Sequence, residues 1–552
     1  MAEPIGLVGL TLQLYIGCIH SYKLFLRARD RERDSSVLTT KMQIEEIRFE
    51  SWGSLWGFTT QEVDVELAQD ESTMAVILKT LQQIKAIFED TVGLVTKYGL
   101  EQEFGDIELD ENLETQPPER KRRRATGFSR VIRTGSAVID RCRWAIVDRE
   151  KFDGLVQDMK DFNDGLHNIT LPAKERRSIG RAVLCAMGTD TLDATRLQVI
   201  EAASQTLGSS STAEPYHSLH MITDFRLRAS TVGESSLRIS KEQVVLDGTA
   251  IALAAHNEPG IGIYNNTPVL VEWRPTPVSL DARTRIARLS SLLSVPSKPS
   301  EFHVLDLLAY FEDHDTHRLC FISKLPTPCA LPPISLYHLL SRNFKIPPLG
   351  TRFRLAQILN VSVLQLHCSS WMHRRIRSSN ILFFRNDARQ PPDLSQPWIT
   401  GFGYAHPDGH WSRNAALSRS TKNDENDLYR HPHIHWDEQT SAGLTYRREY
   451  DVFSLGMVLL EIGLWEQLRM LKIDRSDEAW LENLKQRDVK RLEYKCGSIY
   501  HDVVIRCLEG TKKPTENEVE EEEDGWSWEE RKRTEQAWLY WDVLKELEKC
   551  NA

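Results

Sequence analysis

The sequence predicts a multidomain protein, with an all-α N-terminal helical bundle followed by an α+β domain. From residue 1 to about 205, apolar residues recur at spacings of three and four, as at Ile77, Leu81 and Ile84, which is typical of helices. Residues 204–215 are rich in Ser, Gly and Thr, as flexible linkers are. After about residue 240, β-rich runs come first and helical patterns follow, which is the order of an α+β domain.

Length and composition agree with this division. The 552 residues exceed what one hydrophobic core usually organises, so we expect two domains. We assign residues 1–205 to the bundle, 206–240 to a linker and 241–552 to the α+β domain. With 41% hydrophobic residues, 27% charged residues and a formal net charge of -10, the chain has the composition of a soluble globular protein, and nucleic acid is not an expected partner.

Cysteine usage predicts the compartment. The nine cysteines are scattered and include no CxxC pair, which favours a reducing environment and argues against both a disulfide framework and a zinc site. We therefore expect a cytoplasmic protein without a bound metal.

The predicted first helix is uncharged over residues 4–22, which contain no Lys, Arg, Asp or Glu. A secretory signal peptide is disfavoured, since Glu3 precedes the apolar run and no cleavage site follows it. A permanent membrane span is borderline, because about 20 apolar residues are needed and Gln13 and His20 interrupt the run. Two interpretations remain, a buried first helix or a helix that leaves its bundle for a bilayer. In the second, the candidate membrane contacts are Ile5, Leu12, Ile16 and Ile19.

A basic run in a predicted loop is a second candidate membrane contact. Two prolines, Pro117 and Pro118, stop a helix, and five cations follow, namely Arg120, Lys121, Arg122, Arg123 and Arg124. Such a run attracts anionic headgroups by about 1 kcal/mol per basic residue. A solvated loop or a nuclear-import signal explains the run equally well on charge alone.

Three motifs in the second half occur in the order found in protein kinases. Residues 371–384, WMHRRIRSSNILFF, resemble the catalytic loop H-R-D-L-x-x-x-N and its following strand, and residues 398–405, WITGFGYA, stand in the place of the D-F-G segment. Residues 450–462, YDVFSLGMVLLEI, resemble the large-lobe helix that anchors the catalytic loop. The resemblance implies a bilobal protein-kinase-like fold, with a small lobe at about 241–325 and a large lobe at about 326–552.

Several residues keep the kinase identity while the positions that carry phosphoryl transfer do not. The matching residues are His373, Arg374, Asn380, Phe402, Gly403 and Asp451. Arg375, a permanent cation, replaces the carboxylate that accepts the substrate proton, and Gly401 replaces the aspartate that holds Mg²⁺. Glu272 replaces the lysine that binds the phosphates. The resemblance therefore implies a pseudokinase, which is not an enzyme.

Nucleotide binding stays open in this interpretation. Arg274 lies two residues after Glu272 on the same face of its strand, so it is a candidate substitute for the lysine. Asn380 is the other candidate nucleotide contact, unless its side chain only ties the loop to the backbone. Residues 259–266 lack the G-x-G-x-x-G pattern of a phosphate-binding loop. We expect no cofactor, with ATP and Mg²⁺ binding as the alternative.

The first half resembles the fungal HeLo domain of prion-inhibition and propagation proteins, through its opening MAEPIGLVGL, its uncharged first helix and residues 47–58, IRFESWGSLWGF. The resemblance implies an effector of fungal programmed cell death and heterokaryon-incompatibility-type signalling. It implies anionic membrane lipids as partners on activation, an upstream immune-receptor-like protein or a second copy as trigger, and relocation from cytoplasm to membrane. The layout is similar to that of the mixed-lineage kinase domain-like protein of animal necroptosis.

Two other functions compete with a membrane-acting effector. The chain is an atypical active kinase if it binds Mg²⁺-ATP and phosphorylates itself. It is a signalling scaffold if it neither transfers phosphate nor permeabilises vesicles.

Overall fold

The architecture comes from a computed structural model. It describes residues 4–26, 33–104, 142–170, 173–187, 194–208, 216–231, 237–246, 259–276, 280–295, 298–327, 329–341, 344–387, 389–407, 428–433, 446–471, 473, 479–510 and 538–550. The chain divides into two units, one formed by residues 1–183 and 198–220 and the other by residues 184–197 and 221–552. Each unit is described by itself.

The first unit is mainly helical. Its helices are α1 (Pro4–Leu26), α2 (Arg33–Leu55), α3 (Val65–Gln69), α4 (Glu71–Glu89), α5 (Thr91–Thr96), α6 (Arg149–Thr170), most of α7 (Ala173–Ala186), most of α8 (Ala194–Gly208) and the start of α9 (Tyr216–Thr231). Two antiparallel strands, β1 (Leu100–Phe104) and β2 (Cys142–Ile146), pair between α5 and α6. The all-α prediction missed these strands, because their pairing joins segments that are far apart in sequence.

Helix α1 buries one face only. Thr11, Tyr15, Cys18 and Tyr22 recur at spacings of four, three and four and are at most 2% exposed. This stripe packs against α2 and α4, where the ring of Tyr15 lies 5.1 Å from the ring of Phe49. Gly53 of α2 allows this close approach, since a Cβ there would lie 2.2 Å from the Tyr15 ring. The other face carries Leu10 and Ile16, which are 46% and 48% exposed.

A buried charged network joins α2, α6 and α9. Arg48 is 2% exposed, and its guanidinium donates to Oε2 of Glu45 at 2.8 Å and to Oδ1 of Asp164 at 2.7 Å. The hydroxyl of Tyr216 donates to Oε1 of Glu45 at 2.6 Å, and Asn163 donates to Oε2 of Glu45 at 2.8 Å. Burial alone would lower the pKa of Arg48, but the charge of Glu45 raises it above its usual value. The buried cation is thus matched by carboxylates.

The second unit contains the rest of α7, α8 and α9 and then a five-stranded antiparallel sheet in the order β3-β4-β5-β7-β6. Its strands are β3 (Val244–Leu246), β4 (Gly260–Tyr264), β5 (Thr267–Pro275), β6 (Leu307–Asp313) and β7 (Arg318–Lys324). Asn265 and Asn266 have positive φ angles and connect β4 to β5, as a two-residue hairpin turn requires. Helix α10 (Leu280–Ser294) packs against β6.

The rest of the second unit is mostly helical. The α-helices are α11 (Leu336–Leu339), α12 (Leu349–Cys368), α13 (Arg448–Leu464), α14 (Trp480–Leu484), α15 (Arg491–Cys496), α16 (Ser498–Glu509) and α17 (Lys545–Glu548), with π-helices at Lys485–Val489 and Leu539–Leu544. Short strands among them are β8 (Ala330–Ser335), β9 (Trp371–Met372), β10 (Ile381–Arg385), β11 (Trp398–Ile399) and β12 (His406–Pro407). Helix α13 forms the centre, because nearly all of its residues are buried and it packs against α12 and α16.

The segment predicted to be a linker, residues 206–240, contains a helix. Helix α9 (Tyr216–Thr231) occupies most of its described part, while 209–215 and 232–236 lie outside the described residues. The helix forms because Tyr216, Leu219, Ile222 and Phe225 make a buried stripe, all at most 1% exposed. The residues just before this helix are rich in Ser and Gly, and this linker-like composition led to the prediction of a linker.

Candidate functional site

Asp451, in the first turn of α13, holds the segment that carries the HRR sequence. Its carboxylate accepts the backbone N–H of His373 at 2.7 Å and of Arg374 at 2.8 Å, and the hydroxyl of Tyr446 at 2.9 Å. The side chain is fully buried. Burial alone would raise the pKa of Asp451, but a hydrogen bond from His367 and the other donors hold it below its usual value. Asp451 therefore remains an ionised anchor for this loop.

His373 connects the loop to residues 400–402. Its Nε2 lies 2.9 Å from the carbonyl oxygen of Thr400, and its ring packs edge-on against Phe402 with centroids 4.6 Å apart. Burial lowers the pKa of His373 to about 4, so the ring is neutral at physiological pH and donates through Nε2. His373 therefore has a structural role, in which it connects the loop to the segment of Thr400 and Phe402.

Asn380 also ties the loop to its surroundings. Its side-chain amide donates to the backbone carbonyl oxygen of Arg375 at 2.8 Å. Its backbone carbonyl oxygen accepts the backbone N–H of Thr400 at 2.9 Å. Both contacts are those of a residue that fixes loop geometry.

Glu272 binds the backbone of the neighbouring segment. It lies on β5, and its Oε1 accepts the N–H of Gly401 at 2.5 Å. Burial raises the pKa of Glu272 to about 7, and the hydrogen bond from Gly401 opposes the rise. The side chain thus connects the sheet to residues 400–404.

Gly401 cannot take a larger side chain without rearrangement. Its φ is +85°, a left-handed conformation that favours glycine, and an added Cβ would lie 2.3 Å from Nδ2 of Asn380. At Gly403 an added Cβ would lie 3.1 Å from Cβ of Arg274. The fold is therefore built around glycine at both positions.

These residues surround one cleft of about 30 Å³. Its lining includes Glu272, Arg274, Arg375, Asn380, Gly401 and Gly403 among the residues predicted from sequence, together with Arg377 and Tyr404. The Arg375 guanidinium lies 3.9 Å from the centroid of the Tyr404 ring, and that of Arg274 lies 5.9 Å from it. Arg274 is only 5% exposed, and burial with the nearby charge of Arg285 lowers its pKa to about 9. The cleft is rich in guanidinium groups.

Sequence reasoning missed Arg377 and Tyr404. The only signal in the sequence was the density of arginines in HRRIR, residues 373–377, and no local pattern placed Tyr404 beside them. Within the described parts of the chain, no group of three or more His, Cys, Asp or Glu side chains is arranged to hold a metal ion.

The candidate membrane contacts are only partly described. Ile16 is exposed, and Leu12 and Ile19 are half-buried on α1. The side chain of Ile5 and the whole basic run from Arg120 to Arg124 lie outside the described residues. No helix in the described ranges combines the length and apolar character needed to cross a membrane.

Comparisons with known families divide the chain in a similar way. Residues 4–199 match the HeLo family, described as prion-inhibition and propagation, which confirms the resemblance inferred for the first half. Residues 309–550 match a domain of unknown function, DUF7580. No curated protein matches the chain. The HeLo match suggests fungal cell-death and heterokaryon-incompatibility signalling. Residues 4–199 are therefore similar to the HeLo family, and the following region of mixed sheet and helix is similar over residues 309–550 to a family without an assigned function.

Proposed function

We propose that this chain is a HeLo-domain effector of fungal cell-death signalling whose second unit is a protein-kinase-like domain without phosphotransfer activity. In the resting state the second unit restrains the helical bundle, and release lets the bundle act on anionic membranes. The observation that carries the proposal is the cleft itself. The loop anchored by Asp451 carries Arg375, the segment beside it carries Gly401, and both residues line the cleft. In the proposed kinase-like fold, these are the two positions at which phosphoryl transfer would require carboxylates.

The kinase-like part of the proposal is supported by the order and contacts of the elements. A five-stranded antiparallel sheet with one helix, α10, precedes the helical region. Asp451 accepts two backbone N–H groups of the loop that contains His373 and Arg374. Residues 398–405 lie against the same loop, through His373 and Asn380.

The absence of catalysis is supported by what the replaced residues do instead. Arg375 has no lone pair with which to accept a proton. Gly401 has no side chain to hold Mg²⁺, and the carboxylate of Glu272 is engaged by the Gly401 N–H.

The membrane-acting part is supported by the HeLo match and by the free face of α1. Leu10 and Ile16 are apolar and exposed while the opposite face of the helix is packed. An exposed apolar face can enter the interfacial region of a bilayer, and the basic run from Arg120 to Arg124 would add attraction to anionic lipids. The protein would then move from the cytoplasm to the membrane on activation, in response to an immune-receptor-like partner or a second copy of the chain.

Dye release from anionic vesicles tests the membrane step. The fragment 1–231 is suitable because it contains Tyr216, which completes the buried network, and it should release dye. Ile16→Asp should lower dye release without changing the melting temperature, because this side chain is 48% exposed. Leu12→Asp should lower both, because the side chain is half-buried and a charge in the apolar part of a bilayer costs about 2.5 to 3.5 kcal/mol.

Neutralising Arg120 to Arg124 is the matched control for recruitment. It should weaken vesicle binding in a salt-dependent manner and leave the helical content unchanged. Equal dye release by the unmodified fragment and Ile16→Asp, or no vesicle binding under any condition, would replace the effector by a signalling scaffold.

Phosphotransfer is tested on the full chain with Mg²⁺ and ATP. We expect no transfer to the chain itself or to a general substrate protein. Transfer that disappears in Asn380→Ala would instead support the atypical active kinase.

A further inference from the structure

A fully buried carboxylate near the end of α13 joins several segments of the second unit. Glu461 has no exposed surface. Its Oε2 accepts the hydroxyl of Tyr429 at 2.9 Å, and its Oε1 accepts the backbone N–H of Leu468 at 2.9 Å. The hydroxyl of Ser378 lies 2.8 Å from that of Tyr429. Through these contacts Glu461 holds residues 428–433 against the loop that contains Ser378.

The partners of Glu461 are neutral. The other charged or titratable groups on the elements around it are Arg352 and His367 of α12, Arg491, Lys495 and Cys496 of α15, Tyr500 and Cys507 of α16, Arg377 beside Ser378, His431 after Tyr429, and Glu466 and Arg469 after α13. Within the described parts of the chain, none of these groups forms an ion pair or hydrogen bond with Glu461. Arg352, for example, donates to the carbonyl oxygen of Gly463 at 2.6 Å.

Protonation of Glu461 decides whether this site holds a buried charge. Burial raises the pKa of Glu461 to about 7, and the donors Leu468, Ser378 and Tyr429 oppose the rise. The protonated carboxyl is neutral, and its O–H can join the hydroxyls of Tyr429 and Ser378 in one hydrogen-bonded chain. The ionised form carries a buried charge without a cation, which is costly unless water reaches it. Because Tyr429 is only 7% exposed, movement of its side chain would admit that water.

We propose that Glu461, Tyr429 and Ser378 form a pH-sensitive latch, which is closed on residues 428–433 while Glu461 is protonated and opens when Glu461 ionises. Arg377 and Asn380 lie on either side of Ser378 in the chain and line the cleft, so opening also loosens one wall of the cleft. The inference goes beyond the proposed function, and it requires neither membrane action nor the absence of phosphotransfer.

The direction of the pH effect follows from proton linkage. In the open form Glu461 is hydrated and titrates near its ordinary value of 4.5, against a pKa of about 7 in the closed form. Between these values the closed form binds more protons, so closure is strongest at low pH and is lost as the pH rises through 7. The population of the open form should therefore rise about tenfold between pH 6 and pH 8.

Hydrogen exchange of the full chain, read by mass spectrometry at pH 6 and pH 8, measures this opening. The readout is the protection factor of peptides that cover residues 428–433 and Leu468, because it corrects for the intrinsic pH dependence of exchange. In the unmodified chain it should fall about tenfold from pH 6 to pH 8. In Glu461→Gln it should stay the same at both pH values, since glutamine keeps a donor and an acceptor but does not ionise. His431 is retained in this variant, so the difference from the unmodified chain belongs to Glu461.

Two further variants separate the latch from general loosening of the second unit. Ser454→Ala removes the hydroxyl that donates to the carbonyl oxygen of Tyr429 at 2.7 Å, a bond that does not titrate. It should lower protection by the same factor at both pH values. Glu272→Gln removes the other carboxylate whose pKa burial raises to about 7, and it should leave the tenfold fall in residues 428–433 unchanged.

Ser378→Ala keeps the test informative if Glu461→Gln folds poorly. Its hydroxyl helps to lower the pKa of Glu461, so removing it should move the midpoint of the pH effect upward. The proposal is overturned if protection in the unmodified chain is the same at both pH values, or if Glu461→Gln shows the same fall. Loss of the fall in Glu272→Gln would also overturn it, because the pH would then act on the whole unit. These measurements use neither vesicles nor ATP, so failure here and failure of the proposed function remain distinguishable.

Discussion

Two groups of charged side chains in this chain differ in their surroundings. In the first unit, Arg48 is buried between Glu45 and Asp164, and Tyr216 donates to the same Glu45, so the charges of this network are balanced. In the second unit, Arg274 and Arg375 lie beside the same tyrosine ring, and they line a cleft together with Glu272. A balanced, buried network is typical of a structural role, whereas charged side chains that line a cleft are candidates for a functional site.

The largest expected effect comes from breaking the balanced network. Arg48→Met should lower the free energy of unfolding by about 3 to 5 kcal/mol, because it leaves the carboxylate of Glu45 buried without its cation. Urea denaturation of the full chain, with hydrogen exchange to assign the loss to α2, α6 and α9, measures this effect.

The double variant Glu45→Met/Arg48→Met is the matched control. It removes both charges, so it should be more stable than Arg48→Met alone. If the double variant loses as much as the two single changes added together, the two side chains are not coupled and the network is not a unit.

Asp451 is a buried charge of the second unit whose carboxylate, like that of Glu45 in the first unit, is matched by hydrogen-bond donors. Asp451→Ala should lower the free energy of unfolding of that unit by about 3 kcal/mol, since two backbone N–H groups and the Tyr446 hydroxyl lose their acceptor. Asp451→Asn keeps one acceptor oxygen and should lose less. Because its folded pKa is lowered, the stabilisation by Asp451 is present above the unfolded pKa and is lost as the pH falls below it. An unchanged melting temperature in Asp451→Ala would contradict the anchor.

Position 401 in the cleft should resist any side chain larger than hydrogen. Gly401→Ala should cost about 2 kcal/mol, because the left-handed φ is unfavourable for alanine and the Cβ meets Asn380. Thermal unfolding measures this loss. An unchanged melting temperature in Gly401→Ala would mean that Asn380 moves aside freely.

Much of the fold could be predicted from sequence, and the reasons are local. The β-rich runs at Val244–Leu246 and Val269–Trp273 lie in strands, as predicted, because their β-branched residues favour strands without reference to any distant segment. Helix α9 was missed because the residues preceding it have linker composition, although Tyr216 and Leu219 begin its buried stripe. The β1–β2 pair was missed because pairing depends on a distant partner.

The site could be predicted in part for a similar reason. The motifs named Arg375 and Gly401, since motif positions are read directly from the chain. Glu272 was interpreted only as the replacement of a phosphate-binding lysine. Its hydrogen bond to Gly401 depends on how β5 packs against residues 400–404. The position of Tyr404 beside Arg274 and Arg375 depends on the same packing of β5 against residues 400–404, which no local sequence pattern predicts.

The smallest expected effect, and the one with the opposite sign, belongs to Glu272. Its pKa is about 7 in the folded chain, against an ordinary value of 4.5. Between these values the folded state binds more protons than the unfolded state, so the contribution of Glu272 to the free energy of unfolding falls as the pH rises. Glu272→Gln should therefore stabilise the chain by about 1 kcal/mol at pH 8, a value reduced for partial solvent exposure, and by nothing near pH 4.5. The glutamine oxygen still accepts the Gly401 N–H.

Urea denaturation of both proteins from pH 4.5 to 8 measures the effect. The difference in free energy of unfolding between the two proteins is the quantity to compare, because burial also raises the pKa of Glu461 to about 7 and its titration contributes equally in both. A variant less stable than the unmodified chain at pH 8 would show that the negative charge of Glu272 stabilises the folded chain, which would contradict a raised pKa.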